Sequence, residues 1–255
     1  HTHMKRIILL LLMATTLAAY SQKTDLSTVN TVKPNKGQKM AFETAYKAHI
    51  AKFHKADEKI SVYEIISGPR AGSYHLVNGG RSFADLDKER ADAAAHSMDL
   101  DKTFYPLLEE TMNGTYRYMD SLSFHPDPGA DKCVVTVRTI KLSLESDYRN
   151  ELSRGIKTLG KLKGGFWDNL SINVFEQLWD GSEPIVVNIR NLKDGFKSLE
   201  TDYYGASKPG DPTFKDEYVK LYGTADWDKR VKLLEDAVVK SEQYIMKFRK
   251  DLSSQ

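Results

Sequence analysis

Apolar and polar positions along this chain alternate first with a period of two, then at helical spacing, and the order of these changes is written twice. Val29-Asn30-Thr31-Val32-Lys33 alternates with a period of two and predicts a strand, ended by Pro34. Phe42, Tyr46, Ile50 and Phe53 then recur at helical spacing, with Glu43, Lys47, Lys52 and Lys55 on the opposite face. Residues 60–66 and 73–77 predict two strands around the turn at Gly68. Phe83 and Leu86 begin a short helix, Leu107, Leu108 and Met112 predict another, and residues 115–124 a last strand.

The same order returns from Val134. Val134-Val135-Thr136-Val137-Arg138 matches the first strand at an offset of 105, and Tyr148, Leu152, Ile156 and Leu159 match the first helix at 106. Ser146 is the residue expected to cap this second helix. The offset grows to 112 after Lys163-Gly164-Gly165-Phe166-Trp167-Asp168 and is 113 at Phe196 and Leu199. It reaches 126 after Gly205-Ala206-Ser207-Lys208-Pro209-Gly210-Asp211-Pro212, where Leu233, Leu234 and Val238 precede a strand over 241–250. The gaps fall mainly where glycine and proline mark loops. A duplicated unit explains this, with copies at 22–125 and 133–255 joined by a linker at 126–132. Each copy reads βαββαβ, the ferredoxin-like order of an α+β protein. Such a sheet has helices on one face, so its other face needs a cover, and the second copy is the natural one.

Val29-Asn30-Thr31-Val32-Lys33-Pro34 before a long amphipathic helix, and Val62-Tyr63-Glu64-Ile65-Ile66-Ser67-Gly68-Pro69, resemble the dimeric α+β barrel superfamily. That superfamily includes antibiotic-biosynthesis monooxygenases, stress-responsive A/B barrel proteins, NIPSNAP-type proteins and haem-handling relatives. The resemblance covers nearly the whole chain after the leader, as pattern more than motif. It implies a tandem fusion whose two halves close one pseudo-dimeric barrel. It also implies a small-molecule site inside, with haem entering by superfamily analogy alone. Fold likeness decides no reaction.

Residues 1–21 change the picture of location. Met4-Lys5-Arg6, an apolar stretch from Ile7 and Ala19-Tyr20-Ser21 predict a cleavable export signal and a periplasmic or secreted product. No cysteine follows the cleavage site to carry a lipid, and His1-Thr2-His3 precede a plausible start at Met4 and are given no metal role. The chain holds 37 basic and 35 acidic residues, and loss of Lys5 and Arg6 makes the two equal. A balanced charge argues against nucleic acid. The expected state is a monomer or weak homodimer, free of the membrane after cleavage. Cys133, the single cysteine, sits in an apolar run and reads as a buried hydrophobe.

The candidate chemistry is sparse. Glu64 and Glu176 hold equivalent places on strand faces shared with Ile60 and Val62, or with Ile172 and Val174. On a barrel-lining face such carboxylates could act as acid or base, and paired with Arg or Lys they are structural. His75 is a third weak catalytic candidate. Tyr63, Tyr74, Phe175 and Arg70 are candidate ligand contacts. Tyr74 and His75 point to opposite faces, so one of them reaches the interior. His49 lies in the apolar stripe of the first helix and His54 five residues on, so the pair lacks the HExxH spacing. His96 and His125 have no partner nearby in sequence. No metal site is expected. An interior of continuous large aliphatics would instead make the barrel a filled, non-enzymatic module.

Overall fold

A computed structural model of the chain describes residues 24–54, 58–126, 130–164, 166–179, 181–199 and 212–254. The leader, linker residues 127–129, Gly165 and most of the predicted 205–212 loop lie outside them. Strand β1 (Leu26–Pro34) leads to helix α1 (Lys39–Phe53), then β2 (Ile60–Ser67) and β3 (Tyr74–Arg81). A short α2 (Phe83–Leu86), α3 (Ala93–Asp99), a π-helical turn (Leu100–Phe104) and a 3-10 turn (Tyr105–Leu107) precede β4 (Leu108–Tyr118). The second half runs β5 (Lys132–Ile140), α4 (Glu145–Leu159), α5 (Phe166–Asn169), β6 (Ile172–Leu178) and β7 (Ile185–Asn191). It ends with α6 (Phe214–Tyr222), α7 (Thr224–Ala237) and β8 (Val238–Phe248).

The eight strands close into one antiparallel barrel in the order β1-β3-β2-β8-β5-β7-β6-β4. Within it, β4-β1-β3-β2 and β8-β5-β7-β6 are two ferredoxin-like sheets, so the fold is the expected α+β barrel. Two seams join them, and the seams repeat. Tyr63 lies opposite Phe248 at one, and Phe175 opposite Tyr118 at the other. The ring centroids are 5.4 Å apart in both pairs. Both first strands also carry an irregularity at their last residue, Pro34 and Ile140. These bulges align β1 with β5 at an offset of 106, not 105, so Val29 corresponds to Val135.

Three local expectations fail for identifiable reasons. Leu108 and Met112 are helically spaced, yet both lie in β4, whose residues Glu110 to Arg117, with Leu108 beyond the bulge at Pro34, pair with β1. Pairing to a sheet edge overrides local spacing. The predicted strand end at Phe124 makes only an isolated bridge to Ile172. Ser146 does not cap α4, because the 3-10 turn Leu142–Leu144 runs straight into the helix and Leu144 holds the cap position.

Helix α1 lays Phe42, Tyr46 and Ile50 on Val32, Val62 and Tyr74 of the first sheet. On the second sheet Tyr148, Trp167, Phe214 and Tyr218 pack against Ile172, Val174 and Val186. A third cluster, Ile65, Cys133, Val135, Val187, Tyr244 and Met246, lies inside the barrel. Each sheet is therefore apolar on both faces. Burial pushes the Cys133 thiol up to about 12, which leaves it a packing residue at neutral pH.

Candidate functional site

Alternate residues of all eight strands turn inward around a cavity of about 610 Å³. Its walls are mainly apolar, with Val135, Val187, Ile189, Phe175 and Met246 among them. Polar groups gather where β3 meets β1 and β8 approaches. There His75 is held at both ring nitrogens, Nδ1 at 2.8 Å from Thr31 Oγ1 and Nε2 at 2.9 Å from the Tyr244 hydroxyl. Burial, with Arg70 adding to it, lowers the His75 pKa to about 4, so the ring is neutral at pH 7. Burial also raises the Tyr244 phenol well above its ordinary value. The pair is thus an uncharged donor–acceptor couple inside an apolar chamber.

Arg70 also lines this cavity. Its guanidinium donates to Glu242 at 2.9 and 3.0 Å. Lys240 donates to the same carboxylate at 2.7 Å, and these cations hold Glu242 below the usual carboxylate range. The turn that presents Arg70 depends on Gly68, whose φ is +95°. A Cβ there would meet Gln243 O at 2.6 Å and Tyr244 Cβ at 2.7 Å. Only glycine lets the turn pass this close to β8.

Tyr63, Phe175, His75 and Arg70 line the cavity as the sequence suggested. Glu64, Glu176 and Tyr74 do not. They share the faces of Val62, Val174 and Val186, which pack under helices. Glu64 accepts from Lys39 and, at 2.8 Å, from Arg249, which also donates to Glu43 at 2.7 and 3.0 Å. The Tyr74 hydroxyl donates to Glu43 at 2.7 Å. Glu176 accepts from Arg117 and Arg149. Both glutamates are therefore ion-paired struts between sheet and helix layer. Period two correctly grouped Glu64 with Val62 but could not say which face looks inward.

A second cavity, of about 540 Å³, lies between the outer face of the first sheet and the α1–α3 layer. His49, His54 and His96 stand together on its wall. Sequence reading missed this cluster because the spacing of His49 and His54 fits no short motif and His96 arrives from α3. Haem, the cofactor of the superfamily analogy, does not fit the barrel interior. His75 is the histidine there among the described residues, and both its nitrogens are engaged.

No protein-family model matches the chain, and no curated protein matches it. Solved structures share its fold. An anthrone oxidase-like protein superposes with a TM-score of 0.53 at 13% identity, covering 89% of this chain and 92% of that one. A provisionally assigned monooxygenase from Fusobacterium nucleatum gives 0.52 at 9% identity, covering 88% and 92%. A provisionally assigned chlorite dismutase gives 0.51 at 8% identity, covering 90% and 98%. These identities carry the fold alone. The chain has the dimeric α+β barrel fold, with both halves in one polypeptide.

Proposed function

We propose that the barrel interior binds a small, largely apolar molecule of aromatic size that carries one polar group. The observation behind this reading is the chamber of about 610 Å³, whose wall is more apolar than polar and brings His75, Tyr244 and Arg70 together at one place, with amides such as Asn113, Asn173 and Gln177 elsewhere on it. Its volume falls in the range of roughly 300–1,000 Å³ common to ligand sites. A phenol, enol or carbonyl fits the neutral His75–Tyr244 couple, and Arg70 adds attraction for an oxygen carrying negative charge. The anthrone oxidase-like and monooxygenase fold neighbours make hydroxylated polycyclic aromatics the first class to try, and oxygenase-type turnover the first activity.

Calorimetry and thermal shift against such a panel, with dissolved oxygen monitored, test the reading. A ligand that stabilises the parent protein should lose binding in Val187→Trp, which fills the chamber, while circular dichroism stays native. No binding by any member, with no organic ligand in native-purified protein, overturns the proposal and favours a surface module. We also propose export through the 1–21 leader. The mature chain recovered from a secreting bacterial host should begin at Gln22, and an uncleaved N-terminus retained in the cytoplasm overturns this.

A further inference from the structure

We propose that His49, His54 and His96 are the ligands of a divalent transition-metal site of the zinc class, open to the outer cavity of the first half. The three histidines line the outer cavity and not the barrel interior, although the two cavities share Val29, Asn113, Gly114 and Gln177, and the inference does not rest on the reading given for that interior. His49 comes from the buried stripe of α1, His54 from the residue that ends that helix, and His96 from α3. Their Nε2 atoms form a triangle. His49 to His96 is 3.1 Å, His49 to His54 is 3.3 Å and His54 to His96 is 3.2 Å.

Protons alone do not satisfy this triangle. A neutral imidazole offers one N–H and one lone pair, at different nitrogens. His49 Nδ1 is 2.9 Å from Asp99 Oδ2, an acceptor, so the ring's proton lies on Nδ1 and its Nε2 presents a lone pair. A single proton serves one side of the triangle at a time, which leaves another side short of a donor or facing donor to donor. Charging all three rings would place three cations about 3 Å apart, at a distance where like charges strongly oppose each other. One cation at the centre accepts all three lone pairs. Ligands of a tetrahedral zinc at about 2.0–2.1 Å stand roughly 3.3 Å from one another, so this triangle needs little movement. Three imidazoles favour zinc, iron(II), cobalt, nickel or copper over magnesium and calcium.

The surroundings match a metal site's supporting groups. Asp99 orients His49 and is itself held by Lys52 at 2.9 Å. His54 Nδ1 lies 3.1 Å from Glu58 Oε2, off the line of a good hydrogen bond, and Glu58 is paired with Arg90. Carboxylates behind ligating histidines fix ring orientation and raise ligand basicity. Directly after Asp99 the helix widens into the π-helical turn Leu100–Phe104, a local distortion frequent at functional sites. The fourth coordination position is left for the cavity, whose wall carries Asn78, Asn113 and Gln177 and whose rim carries Trp179. Trp179 is 74% exposed and has φ +57°, a left-handed conformation that a bulky residue rarely adopts. Water or an anionic group of a polar molecule suits that position.

The full chain carrying His1→Ala and His3→Ala tests this, because those substitutions remove two histidines outside the cluster that could bind metal on their own. Cobalt(II) chloride is titrated with a visible spectrum, and zinc chloride by calorimetry with metal content measured after gel filtration. One ion per chain and an intense four-coordinate cobalt spectrum are expected. His96→Ala, on a short half-exposed helix, and His54→Ala should each weaken binding by at least ~100-fold. Asp99→Asn should weaken it by about 10- to 100-fold, and His125→Ala should leave it unchanged. Absence of saturable zinc or cobalt uptake, a pale six-coordinate cobalt spectrum, or parental affinity in both His54→Ala and His96→Ala overturns the proposal.

Discussion

The two halves stand on one ladder, yet their helix layers differ, and the difference shows what makes a site. At the offset that relates α1 to α4, His49 corresponds to Gly155. In the second half the space beside Gly155 is taken by Arg230, whose guanidinium lies 3.5 Å from where a Cβ would be. Arg230 and Tyr218 converge on buried Glu151 at 2.6 and 2.7 Å, and the rings of Phe214, Tyr218 and Trp227 close around them. Helices α6 and α7 supply these groups. In the first half the corresponding cover is only seven-residue α3 and a π turn, and the histidine cluster and its cavity occupy the remaining space. Sheets of the same strand order thus carry a closed aromatic core around Glu151 in one half and an open polar pocket in the other.

The sharpest way to break this comparison is at Glu151. Glu151→Ala leaves the partly buried Arg230 without its carboxylate, keeping only the residue-151 carbonyl at 3.1 Å, and should cost about 3–5 kcal/mol. His96→Ala in the first half should cost less than about 1 kcal/mol, as for a part-exposed side chain. Urea melts of the two variants measure this, and equal losses would mean that both layers are equally closed.

Gly68 and Gly181 separate the halves at their strand-end turns. Both have positive φ, but a Cβ at Gly68 would strike β8 whereas Gly181 has nothing within 4 Å. Gly68→Ala should destabilise by roughly 3 kcal/mol and Gly181→Ala by about 1 kcal/mol. Thermal unfolding of the pair decides it, and a harmless Gly68→Ala would overturn the close approach of this turn to β8.

The narrowest contrast concerns His75, whose counterpart in the second half is Val187. The folded pKa is near 4 against 6.5 for the free side chain. Between those values the unfolded chain binds more protons, so the stability is fully present above about pH 6.5 and is lost as pH falls toward 4. Roughly 1.5 kcal/mol should disappear between pH 6.5 and pH 5. His75→Gln should flatten that part of the profile in denaturant melts, and an unchanged slope would show that His75 does not titrate in this window.

Much of the fold was legible because its signals are local. The alternation over Ile60, Val62 and Glu64 and the helical stripe of Phe42, Tyr46 and Ile50 are steric consequences of strand and helix geometry, and they recur in β6 and α4. The site was less legible. Tyr63, Phe175, His75 and Arg70 line the chamber, whereas Glu64, Glu176 and Tyr74 lie on the helix side, the two glutamates paired with basic side chains as their structural alternative had it. Leu108 and Met112 read as helix because five residues carry too little pattern to outweigh a ladder of partners from β1.

By itself the sequence determined most of the order of elements and which side chains share a face, because backbone geometry sets periods of two and 3.6 independently of distant contacts. Only the tertiary structure decided which face lines the barrel, since both faces are apolar and closure through the β2–β8 and β4–β6 seams selects between them. It also decided that His49, His54 and His96 meet, because that contact is made by packing α3 against α1, across a separation that no local spacing encodes.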